Sequence, residues 1–486
     1  MYLGIDIGTS AVKAAVVDDA GAVLDQTTSA LSVSRPHALW SEQNPADWWA
    51  ATNGAVSDLQ PALRSAVRAV GLSGQMHGAT LLDSKARALR PAILWNDGRS
   101  GRECAELERD CPETASITGN RAMPGFTAPK VAWVRRHEPD VFAEIDKVLL
   151  PKDYVRLRMT GDFASDMSDS AGTLWLDVGQ RRWSGRMLGA TGLRESQMPA
   201  LFEGNQLTGQ LRAEIAEAWG MPRVPVAAGG GDNAAGAIGV GVVRPGDSFL
   251  SLGTSGVMFL ASDRYQPNPA RGVHTFCHAI PKHWHQMSVI LSAASCLDWA
   301  ARLCGLPDAG ALLERTSARN RPAQREMFLP YLSGERTPHN DPRAQGVLFG
   351  LTQDSDAAAV GQAVLEGVAF ALRDGMDALL ADDATLSSIS VIGGGARSEY
   401  WGRILSSVLG RPLVYRDAGT VGPAYGAARL ARMAIDRAAI EDVCTAPRIQ
   451  HVAEPDEKLA HAYDDRMMLF RGLYRALKDS FRENAS

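Results

Sequence analysis

Two stretches of this chain repeat one another. YLGIDIGTSAV (Tyr2–Val12) and FLSLGTSGVMF (Phe249–Phe259) are apolar runs that break into Gly-Thr-Ser and then turn apolar again. Such a pattern reads as strand, tight turn, strand. Building the device twice, once near the start and once past the middle, constrains the chain to two related halves. A Gly-Thr-Ser turn presents backbone N–H groups and hydroxyls together, which suits an anion such as phosphate. Two such turns facing each other across a cleft would grip a polyphosphate from both sides. The bland alternative is a common hairpin sequence with no ligand, but recurrence in the same setting favours function.

The flanking pattern extends the repeat. Residues 2–7, 11–18 and 22–28 predict a three-stranded meander. A helix follows over 45–59 behind an Asn44 cap, and then a strand over 66–73. That order is an α/β domain with a mixed sheet. In the second half, 247–252, 257–261 and 285–290 read as strands and 293–304 as a helix. A strand over 388–392 then leads into a helix over 399–409. The break lies near Gly241–Pro245, giving an N-terminal domain of 1–243 and a C-terminal domain of 244–486. The junction is short, so the halves are expected to pack together rather than swing on a linker.

Charge and cysteine usage exclude several classes. A formal net charge of -5 offers no basic field for nucleic acid. Six scattered cysteines contain no C-x-x-C pair, which argues against a zinc ribbon and suits reduced cytosolic thiols. No basic segment followed by an apolar one marks the N-terminus as a signal peptide. The most apolar stretch, Val224–Val243, is glycine-rich and broken by Asp232 and Asn233, so it makes a poor membrane span. The expectation is a soluble cytoplasmic protein with neither a nucleic-acid nor a membrane partner.

The candidate chemistry sits where strands meet glycines. No G-x-x-x-x-G-K-[ST] motif is present, so a P-loop is excluded. Asp6 is a charge inside an apolar strand, costly unless paired or bound to a cation; capping a turn is its alternative. Asp232 follows three glycines in VPVAAGGGDNAAG, where a substrate can approach the backbone closely and lose a proton to the carboxylate. A helix N-cap is the plainer reading. The same stretch weakly matches G-x-G-x-x-A. IGGGARSEYW (Ile392–Trp401) runs a strand through glycines into a helix, where a nucleotide can lie, or the helix end simply packs on a sheet. Met76 and His77 end another strand. His274, His278, His283 and His285 match no zinc spacing and read as structural. Trp40, Trp48, Trp49 and Trp95 read mostly as core, with a minority lining a sugar pocket.

GIDIGTSAVK, GGGDN, SLGTSG and GGGARSEYW, in this order, resemble the FGGY family of carbohydrate kinases, within the actin/sugar-kinase/Hsp70 superfamily. FTAPKVAWVRRH (Phe126–His137) and GVLFGLTQDSDAAAVGQAVLEGVAFALRD (Gly346–Asp374) resemble its two signatures. The likeness runs from Met1 to about Arg432. SGQMHG, LWNDGR, LLPKDYVRLRMTG, SDMSDSAGTLWLD and LPYLSGERTPHNDPRAQG are similar to the members that act on the ketopentose D-xylulose. The resemblance implies two ribonuclease-H-like domains, each built on a five-stranded sheet, with a deep cleft between them. It further implies transfer of a phosphoryl group from ATP, with Mg²⁺, to the 5-hydroxyl of D-xylulose; another ketose or polyol, such as ribulose, is the alternative substrate.

Carried over, Asp232 is the catalytic base and Asp6 the carboxylate that organises Mg²⁺. Met76, His77, Asp232 and Asn233 bind the sugar, which would rest mostly on the N-terminal domain. Thr9, Ser10 and Lys13 contact phosphates from the first hairpin, and Thr254 and Ser255 from the second. Gly394, Gly395 and Ser398 line the adenosine end. The family often has Gly where this chain has Ala11. A homodimer is the implied assembly.

Overall fold

The computed structural model describes residues 1–381, 384–392, 398–416 and 422–484. The first half contains β1 (Tyr2–Ile7), β2 (Ala11–Val17), β3 (Val23–Ala30), α1 (Pro45–Ser57), β4 (Ala69–Gly74), α2 (Thr127–His137) and α3 (Pro151–Thr160). It continues with β5 (Leu207–Gln210), β6 (Pro225–Ala227), β7 (Gly230–Gly231) and α4 (Asp232–Val240). The second contains β8 (Asp247–Leu252), β9 (Gly256–Ser262), β10 (His274–Cys277), β11 (Trp284–Ile290), α5 (Ser295–Leu303) and α6 (Ala309–Arg319). Then follow α7 (Ala357–Leu379), β12 (Ser388–Ile392), α8 (Glu399–Leu409), β13 (Leu413–Arg416), α9 (Pro423–Asp436), β14 (Ile449–Ala453) and α10 (Glu457–Asn484).

The two principal sheets repeat one plan. Strand order β3-β2-β1-β4-β6 in the first equals β11-β9-β8-β12-β13 in the second. In each, the first two pairings are antiparallel and the last two parallel. This is the duplicated ribonuclease-H-like layout. Each five-stranded core is extended to seven strands, by β5 and β7 in the first half and by β10 and β14 in the second. Among the described residues, no helix is long and apolar enough to cross a membrane.

Strand alternation decides what each face of β1 meets. Leu3, Ile5 and Ile7 pack with Trp48 and Ala55 of α1 and with Tyr154 and Val155 of α3. Tyr2, Gly4 and Asp6 face the other way, and there the cover comes from the second half of the chain. A Cβ on Gly4 would stand 1.8 Å from the Ala424 carbonyl oxygen of α9, and one on Gly71 1.9 Å from that of Ala427. Only glycine permits this approach. Tyr425, Ala428 and Ala431 of α9 complete a core with Tyr2, Val17, Ala69 and Ala227.

The exchange is mutual. α4, from the first half, places Ala237 and Val240 in one cluster with Phe249 and Phe259 of the second sheet. α4 and α9 touch backbone to backbone: a Cβ on Gly426 would lie 1.8 Å from the Ala235 carbonyl oxygen, and one on Gly239 2.9 Å from that of Gly422. The C-terminal helix α10 sets Tyr463, Phe470 and Tyr474 into the core under α7 and α8.

Candidate active site

Both Gly-Thr-Ser segments form tight turns between antiparallel strands, the first closed three residues on and the second two residues on. The Gly8 amide donates to the Ala11 carbonyl and the Gly253 amide to the Ser255 carbonyl, each at 3.0 Å. Ser10, Lys13 and Thr254 are exposed. The Thr9 hydroxyl is already engaged, donating to Gln75 Oε1 and accepting from Trp95 Nε1, both at 3.0 Å. Thr9 therefore offers a ligand its backbone rather than its side chain. The Thr254 carbonyl accepts from the Ala293 amide (2.8 Å) and the Ser295 hydroxyl (2.8 Å), tying the second turn to α5. A Cβ on Gly256 would press to 2.8 Å on Ile290, so the second hairpin needs glycine at the position after the turn. The first hairpin holds Ala11 there.

The duplication is not symmetric in charge. Asp6 is the last strand residue but one in β1, and Ser251 holds that place in β8. Asp6 pairs across the sheet with Lys13 and Ser73. Burial pushes its pKa up to about 6, opposed by the neighbouring Ser73 hydroxyl and by the Lys13 charge. Asp6 Oδ1 is buried with no hydrogen-bond partner among the described residues. An orphaned carboxylate oxygen of this kind suits a hydrated cation. The described residues contain no cluster of three or more metal-ligating side chains. The site therefore fits Mg²⁺ held by one carboxylate together with phosphate oxygens and water, not a protein cage.

Asp232 arrives beside Asp6 through sheet register. Gly230 and Gly231 pair with Ser73 and Gly74 of β4, so Asp6, Ser73 and Gly230 lie in one row and Asp232 is two residues further on. The glycines serve close packing, not a dinucleotide: Gly229 has φ +77, and its Cβ would sit 1.8 Å from the Leu72 carbonyl oxygen. Asp232 does not cap its helix; Gly231 holds the cap position. Asp232 Oδ1 accepts from the Asn233 amide (2.7 Å) and Asn233 Nδ2 (2.9 Å), and Oδ2 makes no hydrogen bond among the described residues. Burial pushes its pKa up to about 7, reinforced by the Asp6 charge. A carboxylate poised there is suited to general-base work at neutral pH.

A buried ionic platform supports this loop. The Gly231 amide donates to Ser168 Oγ (3.1 Å), and Ser168 donates to Asp166. Lys152 Nζ contacts Asp153 (2.5 Å), Asp166 (2.8 Å) and Asp169 (3.1 Å), with all four side chains fully buried. The LLPKDY and SDMSD stretches thus meet beneath the carboxylate. Breaking one partner in such a cluster typically costs ~3–5 kcal/mol.

Met76, His77, Asp232 and Asn233 converge on one cavity of about 240 Å³. Its far wall, including Ser255, His274, Phe276 and Arg336, comes from the second half. His77 has φ +70, a strained setting for a non-glycine residue. Its carbonyl is clamped by Thr127 Oγ1 (3.1 Å) and the buried Lys130 Nζ (3.0 Å), both from the FTAPK stretch of α2. Burial also drives the Lys130 amine well below its usual range. His77 Nδ1 donates to the Gly172 carbonyl (2.6 Å), which leaves Nε2 as an acceptor. Burial pushes this imidazole down to about 3, so it stays neutral. A side chain on Gly172 would collide with both His77 and Met76 at under 3 Å.

Ser398 caps α8 by accepting from the Trp401 amide (3.2 Å) and lines a second cavity, of about 610 Å³, among α5, α6 and α8. Gly394 and Gly395 lie outside the described residues. Lys130, Gly172, His274 and Arg336 escaped the sequence reading as site residues. A lysine inside the apolar run FTAPKVAWV was the one readable signal. Of the tryptophans, Trp95 lines the sugar-sized cavity, while Trp48 is core.

Comparison with known proteins agrees with this geometry. The model of the FGGY family of carbohydrate kinases, N-terminal domain, matches residues 1–239, and that of the C-terminal domain matches 249–435. The chain is 56% identical to the xylulose kinase of Escherichia coli K12, across 98% of this chain and 99% of the relative. It is 53% identical to that of Klebsiella pneumoniae, with the same coverage. The crystal structure of a xyloylose kinase from Brucella ovis superposes with a TM-score of 0.96 at 51% identity, covering 98% of this chain and 99% of that one.

Proposed function

Since the chain belongs to the FGGY family of carbohydrate kinases, we propose that it transfers the γ-phosphoryl group of ATP to the 5-hydroxyl of D-xylulose. The products are D-xylulose 5-phosphate and ADP, in xylose catabolism. The observation that carries the reading is one cavity holding Asp232, with an unengaged Oδ2 and a pKa near 7, beside the Met76–His77 pair.

In this reading the sugar lies with its 5-hydroxyl on Asp232 Oδ2, which takes the proton as the oxygen attacks. His77 Nε2 accepts from a second hydroxyl, Met76 supplies an apolar wall, and Asn233 holds Oδ1 of the base in place. The backbone amides of Thr9 and Ser10, the Lys13 ammonium, and Thr254 with Ser255 would hold the phosphates. Ser398, with Gly394 and Gly395, would border the adenosine. Mg²⁺, when bound, supplies charge neutralisation on the transferred phosphoryl group. Asp6 would hold it through water, with its unpartnered Oδ1 turned to the ion's hydration shell. Closing the cleft excludes water, which otherwise competes as acceptor.

We place the division of labour at residues 243/244, sugar on the first domain and nucleotide on the second. A cytoplasmic setting is supported by six cysteines with no disulfide. The acidic net charge favours neither nucleic acid nor membrane as a partner, and a homodimer is the assembly to test by light scattering. The deciding experiment is ADP release with MgATP across D-xylulose, L-ribulose, D-ribulose, glycerol and gluconate, with a no-sugar control. Stimulation by D-xylulose alone is expected; stimulation by another sugar instead would overturn the substrate. Asp232→Ala should retain sugar binding and lose ~10²–10⁴ in turnover, and near-full activity would remove it as base.

A further inference from the structure

The far wall of the sugar cavity contains a cation that the reaction leaves unused. Arg336 lines the cavity and has no carboxylate within ion-pair distance among the described residues. A buried guanidinium facing a ligand cavity, with the Glu335 carboxylate acting on it only from beyond ion-pair contact, is costly unless the ligand supplies acceptors. Its side chain is instead aimed by a neutral relay. Asn120 Nδ2 donates to the Thr118 carbonyl (2.8 Å) and the Thr275 carbonyl (2.8 Å), which fixes the amide so that Oδ1 is an acceptor. Oδ1 receives the Thr275 amide (3.3 Å) and His274 Nδ1–H (3.0 Å). His274 Nε2 is then an acceptor, and Arg336 Nη1 donates to it at 3.3 Å. Burial keeps His274 neutral, as the relay requires.

The relay lies at the His77 end of the cavity. His274 stacks on Phe276 (5.7 Å) and meets Phe126 edge-on (5.6 Å), and Phe126 meets His77 (4.9 Å). Asp232 is held from the other side, by β7 and α4. An open-chain ketopentose with its 5-hydroxyl on Asp232 reaches this wall with its C1–C2 end. Arg336 is a donor with no acceptor capacity. The C2 carbonyl is the only group of the sugar that accepts without donating. The two are chemically matched, whereas a polyol presents a hydroxyl that can be satisfied elsewhere.

We propose that Arg336 is the specificity-determining donor to the keto oxygen, selecting a ketose over its alditol, with His274 and Asn120 as its positioning residues. This rests on the D-xylulose reading given above. The test measures dissociation constants by calorimetry for D-xylulose and for its two reduction products, xylitol and D-arabinitol, together with kcat and KM for D-xylulose. Wild type is expected to prefer the ketose at least tenfold. Arg336→Gln should weaken D-xylulose by roughly 10- to 100-fold, the value of a hydrogen bond from a charged donor, and leave both alditols within about threefold. Arg336→Lys should restore part of the loss. Asn120→Ala, which frees His274, should reduce the ketose preference in the same direction by a smaller factor, and it serves as the second probe if Arg336→Gln fails to fold. Equal weakening of ketose and alditols in the folded variants, or wild type binding all three alike, would overturn the proposal. Failure of wild type to phosphorylate D-xylulose would instead overturn the substrate reading on which it rests.

Discussion

Replacing Asp6 by Asn should retune Asp232 from across the sheet. Asp6 and Gly230 stand two strand spacings apart, and Asp232 lies two residues beyond Gly230, so the carboxylates are taken to be separated by on the order of 10 Å at ~4.8 Å per strand. Two unit charges at that distance, with an effective dielectric constant near 20, repel by about 1.7 kcal/mol, or ~1.2 pH units. In the wild type Asp232 ionises near pH 7, raised by burial and by Asp6. A base must be ionised, so kcat/KM should rise with pH through a midpoint near 7. In Asp6→Asn, whose residual turnover is low, the midpoint should fall by about one unit, toward 6. Carboxyl ¹³C resonances of the nucleotide-free enzyme follow the same titration without relying on turnover. An unmoved midpoint in the variant, or a wild-type Asp232 titrating near 4, would refute the electrostatic argument.

Asp232→Asn should stabilise the fold at the expense of catalysis. The raised pKa means that the ionised form is penalised in the native state, a cost that sets in above the unfolded value near 3.8 and is complete above about 7. The gain in Tm over wild type should therefore widen from pH 4 to pH 7 and then level off; a pH-independent difference would contradict it. Gly426→Ala drives a methyl into the Ala235 carbonyl, a backbone contact that cannot step aside. It should cost more than ~2 kcal/mol by urea unfolding. Lys130→Met removes one of two clamps on the strained His77 backbone. It should raise KM for the sugar several-fold with a smaller change in KM for ATP, and equal changes in both would reassign the residue.

Much of this molecule could be read from its chain, for a definite reason. β1, β8, β12 and α8 fall on their expected bounds because each ends at glycine or begins at a capping residue, and such signals are local. Asp6 and Asp232 stood out because a carboxylate beside apolar strands and glycines is locally anomalous. Arg336 and His274 did not, because only the fold turns them toward the same cavity as His77. The histidine group that reads as structural is partly so: His278 and His285 are fully buried in the second half, whereas His274 faces the cavity. The three glycines before Asp232 signalled a close approach, but not of what; the partner proved to be the backbone of β4. Least legible was the crossing of α9 to the first sheet. Its alanines and glycines would look the same against any close neighbour.

That crossing has a consequence for how the molecule is made. As synthesis proceeds from the N-terminus, the first sheet is complete in sequence at residue 231, yet the helix that covers Tyr2, Gly4 and Gly71 ends only at residue 436. At ~5–20 residues per second, about 200 further residues take ~10–40 s. Throughout that interval one apolar face of the nascent domain stands bare, a ready target for chaperones. The first half is thus a guest that must wait for the last third of its own chain.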